Sequence, residues 1–234
     1  MTSSAPPPSQ IASRKHLIGF LLIGAALVAL GTAQQSSANS RPAPQSQSYI
    51  FYFSAIVLDS ALLYYCWAGV RKRGGNLETL SGGRWSSWRD LATDFSIALP
   101  FWIVWEGAAW ALNRLVGAGT SKTVAALLPH TLGEILLWIV TCITAGICEE
   151  LAFRGYLQKQ IRALTGSVSA AILAQGVVFG LFHAYQGWRN VVVISVLGIL
   201  FGLLAAWRGN LRANVLAHAW ADIWGGWLQF VVFR

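Results

Sequence analysis

Seven apolar runs, each close to the length of a bilayer-crossing helix, fill most of this 234-residue chain and leave little room for any other architecture. They cover residues 16–33, 49–70, 94–116, 134–157, 167–185, 190–207 and 213–233. About 20 consecutive apolar residues cross a hydrocarbon core at 1.5 Å per residue, and each run comes near that length. The composition agrees: 55% of residues are hydrophobic and only 11% charged, with a mean hydropathy of +0.53. A soluble domain carries roughly a quarter charged residues. The twelve Trp suit the two membrane interfaces, where an indole ring is half in lipid and its N–H meets headgroups or water. The expected fold is therefore an all-α, polytopic transmembrane helix bundle of about seven spans, an integral multi-pass protein of the cell membrane with lipid as its first partner.

The net charge of +8 does not point to nucleic acid, because the basic residues form no dense patch interleaved with aromatics. They fall in short clusters between the apolar runs, as in cytoplasmic loops. With the N-terminus inside, Arg14, Lys15, Arg71, Lys72, Arg73, Arg84, Arg89, Arg154, Lys159, Arg162, Arg208 and Arg212 are cytoplasmic. Arg41, Arg114, Lys122, Arg189 and Arg234 are external, so 12 of the 17 basic residues lie inside and the "RKRGG" loop is cytoplasmic. Cys66, Cys142 and Cys148 all lie in apolar runs, which argues against a disulfide framework.

Three regions follow from this pattern. Residues 1–48 comprise a polar leader, the run "RKHLIGFLLIGAALVALGTAQQ" and a Ser/Gln/Pro-rich linker. That run reads as a first span by length, with a signal peptide cut near Ala33 as the alternative. Residues 49–133 form an N-terminal transmembrane region, in which "TSKTVAALLPHTLGE" is an interfacial helix or a loop. Residues 134–234 carry the polar motifs.

An ionisable group in a span costs about 2.5–3.5 kcal/mol on insertion scales, so each marks a candidate site. Asp59, Glu106, Glu149, Glu150, His183, His218 and Asp222 are such groups. Glu150 and Arg154 stand four apart on one helix face and can pair. Glu149 is turned about 100° away and lacks that partner. "FGLFH" sets Phe179 and His183 one turn apart, and "HAWAD" does the same for His218 and Asp222. The latter pair can orient an imidazole or supply two metal ligands from one face. A carboxylate with imidazoles is what amide hydrolysis needs: a base for water and a group to meet the oxyanion. Asp59 and Glu106 belong to no such constellation in the sequence.

"EELAFR", "FGLFH" and "HAWAD" resemble, in order, the EExxxR, FxxxH and HxxxN/D motifs of the CAAX protease and bacteriocin-processing family, intramembrane endopeptidases related to the eukaryotic Ras-converting enzyme. The resemblance spans roughly residues 134–230. It implies peptide-bond hydrolysis with Glu149 and His183 activating water, and with His218 and residue 222 facing the oxyanion. Glu150, Arg154 and Phe179 would support the site. Residue 222 is Asp where the eukaryotic enzymes have Asn, and an ionised carboxylate cannot donate to an oxyanion. Asp222 therefore is protonated, orients His218, or binds a metal. The favoured expectation needs no cofactor, with zinc held by Glu149, His183, His218 and Asp222 as the alternative. The expected substrate is a peptide or a membrane-protein segment. A non-catalytic immunity or scaffold protein and a proton-coupled transporter are the rival readings. One difficulty accompanies these expectations: counted from the span centres, His183 lies roughly 15 Å outward of Glu149 and His218.

Overall fold

The computed structural model describes residues 9–38, 46–119, 125 and 127–232. These residues form an all-α bundle. Helix α1 covers Arg14–Ala38, α2 Ser46–Arg71, the short α3 Leu77–Ser81 and α4 Trp88–Val116. Helix α5, Leu132–Glu149, continues without a break through a π-helical stretch, Glu150–Gln158, into α6, Lys159–Thr165. Then come α7 (Val168–Phe182), a single 3₁₀ turn (Ala184–Gln186), α8 (Trp188–Arg208) and α9 (Arg212–Val232).

Five of these segments are long and apolar enough to cross a membrane, rather than seven: Arg14–Ala33, Ser48–Arg71, Trp88–Val116, Leu132–Thr165 and Trp188–Arg208. The run 167–185 forms a shorter apolar helix, because the chain leaves α-geometry at His183. The run 213–233 forms α9, which carries Arg212, Asn214, His218 and Asp222 along its length and is not among the five; residue 233 lies outside the described residues. The expected linker, 34–48, is shorter as well. Helix α1 extends to Ala38 and α2 begins at Ser46, with 39–45 outside the described residues. Within "TSKTVAALLPHTLGE", residues 120–124 and 126 are likewise outside them.

The helix ends are written locally. Thr131 and Glu134 make a reciprocal capping box at the start of α5. Ser87 caps α4 through the Asp90 N–H, and Ser167 caps α7 through the Ala170 N–H. Gly166 closes α6 with φ 69°, a left-handed conformation that a side chain disfavours.

That reversal at Gly166 settles the depth of His183. The helix from Glu149 to Thr165 and helix α7 form an antiparallel hairpin about Gly166. Glu149 lies 17 residues before the glycine and His183 lies 17 after it. Both thus stand at the same height, and the expected mismatch of roughly 15 Å disappears. Its source was the assumption that each span is centred. Helix α5 to α6 runs 34 residues, so Glu149 is near its middle, while α7 is only 15 residues long and places His183 at its end.

The core gathers around the π-helical stretch, all nine of whose residues are buried. Phe153, Tyr156 and Leu157 pack there against Phe20 of α1, Cys66 and Val70 of α2, Leu80 of α3, and Phe179 of α7. Close approaches rest on glycine. A Cβ on Gly146 would lie 2.9 Å from the Ala219 nitrogen of α9, and one on Gly155 would lie 2.8 Å from the Leu80 carbonyl oxygen. Gly176 and Gly198 bring α7 onto α8 in the same way.

One end of the bundle is a ledge of basic and backbone groups. Lys159 donates to the carbonyls of Thr79 and Leu80, and the Leu211 N–H donates to Ser81 O. Buried Asp94 of α4 holds both Arg208 (3.0 Å) and Arg212 (2.7 Å) and accepts from the Trp85 indole. Ala12 exchanges two hydrogen bonds with the Gln160 side chain at the same end. At the other end, Arg189 donates to Gly117 O. Arg154 belongs to neither end. Its side chain is wholly buried in the bundle, which removes it from the expected cytoplasmic loop charges.

Candidate active site

The centre is built from Glu150 outward. This carboxylate is fully buried and spends both oxygens. Oε1 accepts from Arg154 Nη1 at 2.8 Å and from His218 Nδ1 at 2.8 Å, and Oε2 accepts from Asn214 Nδ2 at 3.1 Å. Arg154 is in turn clamped between the rings of Phe179 (4.3 Å) and Phe201 (5.1 Å), and its Nη2 donates to Gly198 O. A buried charge pair is stable only when its remaining valences are satisfied, and here Asn214, Gly198 and the two rings satisfy most of them.

His218 is therefore oriented by Glu150, a carboxylate on another helix, rather than by Asp222 one turn along its own. With Nδ1–H committed to Glu150, Nε2 faces two further carboxylates: Glu149 Oε2 at 3.7 Å and Asp222 Oδ2 at 3.6 Å. Exposure separates the acids. The Glu150 and Arg154 side chains are 0% exposed, while Glu149 keeps 18% and Asp222 36%. A substrate can reach Glu149 and Asp222; it cannot reach Glu150 or Arg154.

His183 caps α7 and donates Nδ1–H to the Phe179 carbonyl at 2.8 Å. A carbonyl only accepts, so Nδ1 carries the proton and Nε2 is left with its lone pair in the neutral ring. The Phe179 ring stands between the two imidazoles, with centroids 4.8 Å from His183 and 6.1 Å from His218. Asp222 lies within electrostatic reach of His183 as well as His218 and Glu149. His183 thus borders the group through Phe179 without a direct hydrogen bond to the other site residues.

Backbone geometry brings these side chains together. Glu149 is the last residue of α5 and Glu150 the first of the π-helical stretch, so the change of helix type falls between the two acids. Such insertions are rare and concentrate at functional sites. Gly146, one turn before the acids, lets α9 approach through Ala219, which sets His218 against them. The Trp138 indole fixes the far side of α9 by donating to Asp222 O at 3.2 Å.

One residue beyond the sequence expectations, Asn214, and one candidate that the sequence left without a constellation, Asp59, enter the picture. Asn214 precedes His218 by one turn, so the stripe 214–218–222 was present in the sequence but its first member carried no ionisable signal. Asp59 of α2 lies within electrostatic reach of Glu149, His218 and Asp222, although it had no constellation in the sequence. Glu106, by contrast, accepts from the Trp102 indole at 3.1 Å on α4.

Among the described residues, no group of three or more His, Cys, Asp or Glu side chains converges in a way that would hold a metal ion.

The fold and site define a class: an all-α bundle of long apolar helices with a buried Glu–Arg–His–Asn network beside two partly exposed carboxylates, an arrangement consistent with a catalytic centre. The segment 131–224 matches the family model described as Type II CAAX prenyl endopeptidase Rce1-like. All three motifs lie within it. The chain is also 30% identical over 80 residues to the uncharacterized protein YpbD of Bacillus subtilis (strain 168), a match covering 34% of this chain and 39% of that protein's length. No solved structure matches the chain.

Proposed function

We propose that the protein is a multi-pass intramembrane endopeptidase, N-terminus cytoplasmic, that hydrolyses a peptide bond with a carboxylate-activated water. The observation that carries this reading is the division of labour around His218. Nδ1 is locked by the sealed Glu150, while Nε2 opens toward the reachable Glu149 and Asp222.

In this reading Glu149 takes one proton from water as the oxygen attacks the carbonyl carbon. His183, with Nδ1 committed to Phe179, keeps Nε2 unprotonated beside this water and backs Glu149 as the base without taking a hydrogen of its own. His218, protonated and held by Glu150, donates from Nε2 to the developing oxyanion. Asp222 holds the charged form of that imidazole. Glu149 then returns the proton to the leaving nitrogen as the C–N bond breaks, so protons balance over the cycle. The substrate is a peptide or membrane-protein segment that reaches the centre from within the bilayer. The favoured mechanism needs no metal; the zinc alternative is tested below through Asp222.

Incubating the purified full chain with a peptide library, wild type against Glu149→Gln, tests the reading. Cleavage by wild type and its loss in the variant are expected. A wild type that cleaves nothing, or a variant that cleaves equally well, would overturn it.

A further inference from the structure

Asp59 is the one acid of the N-terminal half that the arrangement of helices brings to the centre, and the mechanism above leaves it without a task. Its position follows from the packing of α2 on α5. The buried hydrophobic residues of α2 are Tyr52, Leu62, Cys66 and Val70, a stripe at helical spacing. Asp59 stands seven residues after Tyr52 and seven before Cys66, two helical turns from each, and so lies on that same inward stripe.

The two helices run in the same direction, and their contacts climb together. Tyr49 meets Thr131, the Tyr52 ring meets Trp138 at 5.6 Å, and Ser60 stands beside Cys148. Two turns further on, Cys66 joins Tyr156 in the core. Asp59, next to Ser60, therefore stands level with Cys148 and Glu149. From there it is within electrostatic reach of Glu149, His218 and Asp222. Its own carboxylate makes no hydrogen bond or ion pair among the described residues and is half-buried. An acid held in an apolar span without a partner costs about 2.5–3.5 kcal/mol, a cost that a structural residue would not carry.

We propose that Asp59 is a further catalytic carboxylate of the centre, which accepts a hydrogen bond from the attacking water and fixes it for deprotonation by Glu149. The inference rests on the endopeptidase reading above. A water molecule has two hydrogens, and Glu149 takes only one. Asp59 accepts the other, so that the oxygen lone pair is aimed at the carbonyl carbon. The C–O bond forms as the first proton moves to Glu149. As the C–N bond breaks that proton passes to the leaving nitrogen, and the second, held by Asp59 until then, leaves with the new carboxyl group. Asp59 neither gains nor loses a proton, and its contribution is to orientation. The N-terminal region would then complete the site rather than merely enclose it.

The test compares Asp59→Asn, Asp59→Ala and Asp59→Glu with Glu149→Gln and Glu106→Gln in the full-length reconstituted protein, using the best peptide from the library. Asp59→Asn and Asp59→Ala should lower kcat at least tenfold with KM within about threefold of wild type and thermal unfolding unchanged. Asp59→Glu should recover part of kcat, and Glu106→Gln should behave as wild type. Wild-type kcat in Asp59→Asn, a change confined to KM, or equal losses of activity and thermal stability in all three Asp59 variants would each overturn the proposal. Activity in Glu149→Gln would instead overturn the endopeptidase reading itself. Inactive Glu149→Gln beside fully active Asp59→Asn rejects only the role of Asp59.

Discussion

Glu149 and Glu150 are neighbours with the same chemistry and opposite environments, and substitution should separate them. Glu149→Gln is expected to lower hydrolysis roughly a hundred- to ten-thousand-fold, the range for a general base, while leaving the unfolding temperature unchanged. Glu150→Gln strands the buried Arg154 guanidinium and also releases His218. Breaking a buried pair from one side costs about 3–5 kcal/mol, so yield and thermal stability should fall together with activity. A stable, inactive Glu150→Gln protein would reverse the assignment. Asp222 tests the metal question. With Glu150 already orienting His218, Asp222→Asn keeps the size of the side chain and adds a donor, and activity should survive with a several-fold reduction. Stoichiometric zinc in the purified wild type, lost in Asp222→Asn together with activity and restored by added metal, would replace the metal-free mechanism.

At the scale of elements, the centre depends on how closely α9 approaches α5. A side chain at Gly146 would meet the backbone of Ala219 within about 3 Å, and backbone cannot swing aside. Gly146→Leu is thus expected to cost about 1–3 kcal/mol by overpacking. It should also abolish activity by moving His218 off Glu150, a bond of only 2.8 Å. Gly107, on α4, has nothing within 4 Å of an added Cβ. Gly107→Ala should leave activity intact and stabilise the helix by up to ~1 kcal/mol. Differential scanning fluorimetry with the peptide assay distinguishes the two. If Gly146→Leu were as stable and active as wild type, the close approach would not be what assembles the centre.

For the molecule as a whole, the grouping of basic residues at one end makes a topological prediction. The segment from Arg71 to Arg89 packs on the same ledge as Lys159, Arg208 and Arg212, and by the distribution of charge this end is expected to face the cytoplasm. The three native cysteines are free and buried, so introduced ones report cleanly. In intact cells a membrane-impermeant maleimide should label Ser40→Cys and spare Arg73→Cys until the membrane is opened. Labelling at 73 and protection at 40 would invert the orientation.

The all-α class, the apolar helices and the three motifs were legible in the residues themselves, because each depends on local order: hydropathy over some twenty positions, or two side chains one helical turn apart. The pairing of Glu150 with Arg154 is of this kind, since four residues along a helix always share a face. What needed tertiary structure was every relation between helices. The length of α5 to α6, the shortness of α7 and the reversal at Gly166 decide the height of His183, and no single segment contains that information. The partner of His218 Nδ1 lies 68 residues away on Glu150, although an acid stood one turn along the same helix. Asp59 shows the same limit. Its stripe on α2 is periodic and readable, but its level against Glu149 is set by the register of two packed helices, which is a property of side-chain shapes meeting across a gap and not of either sequence alone.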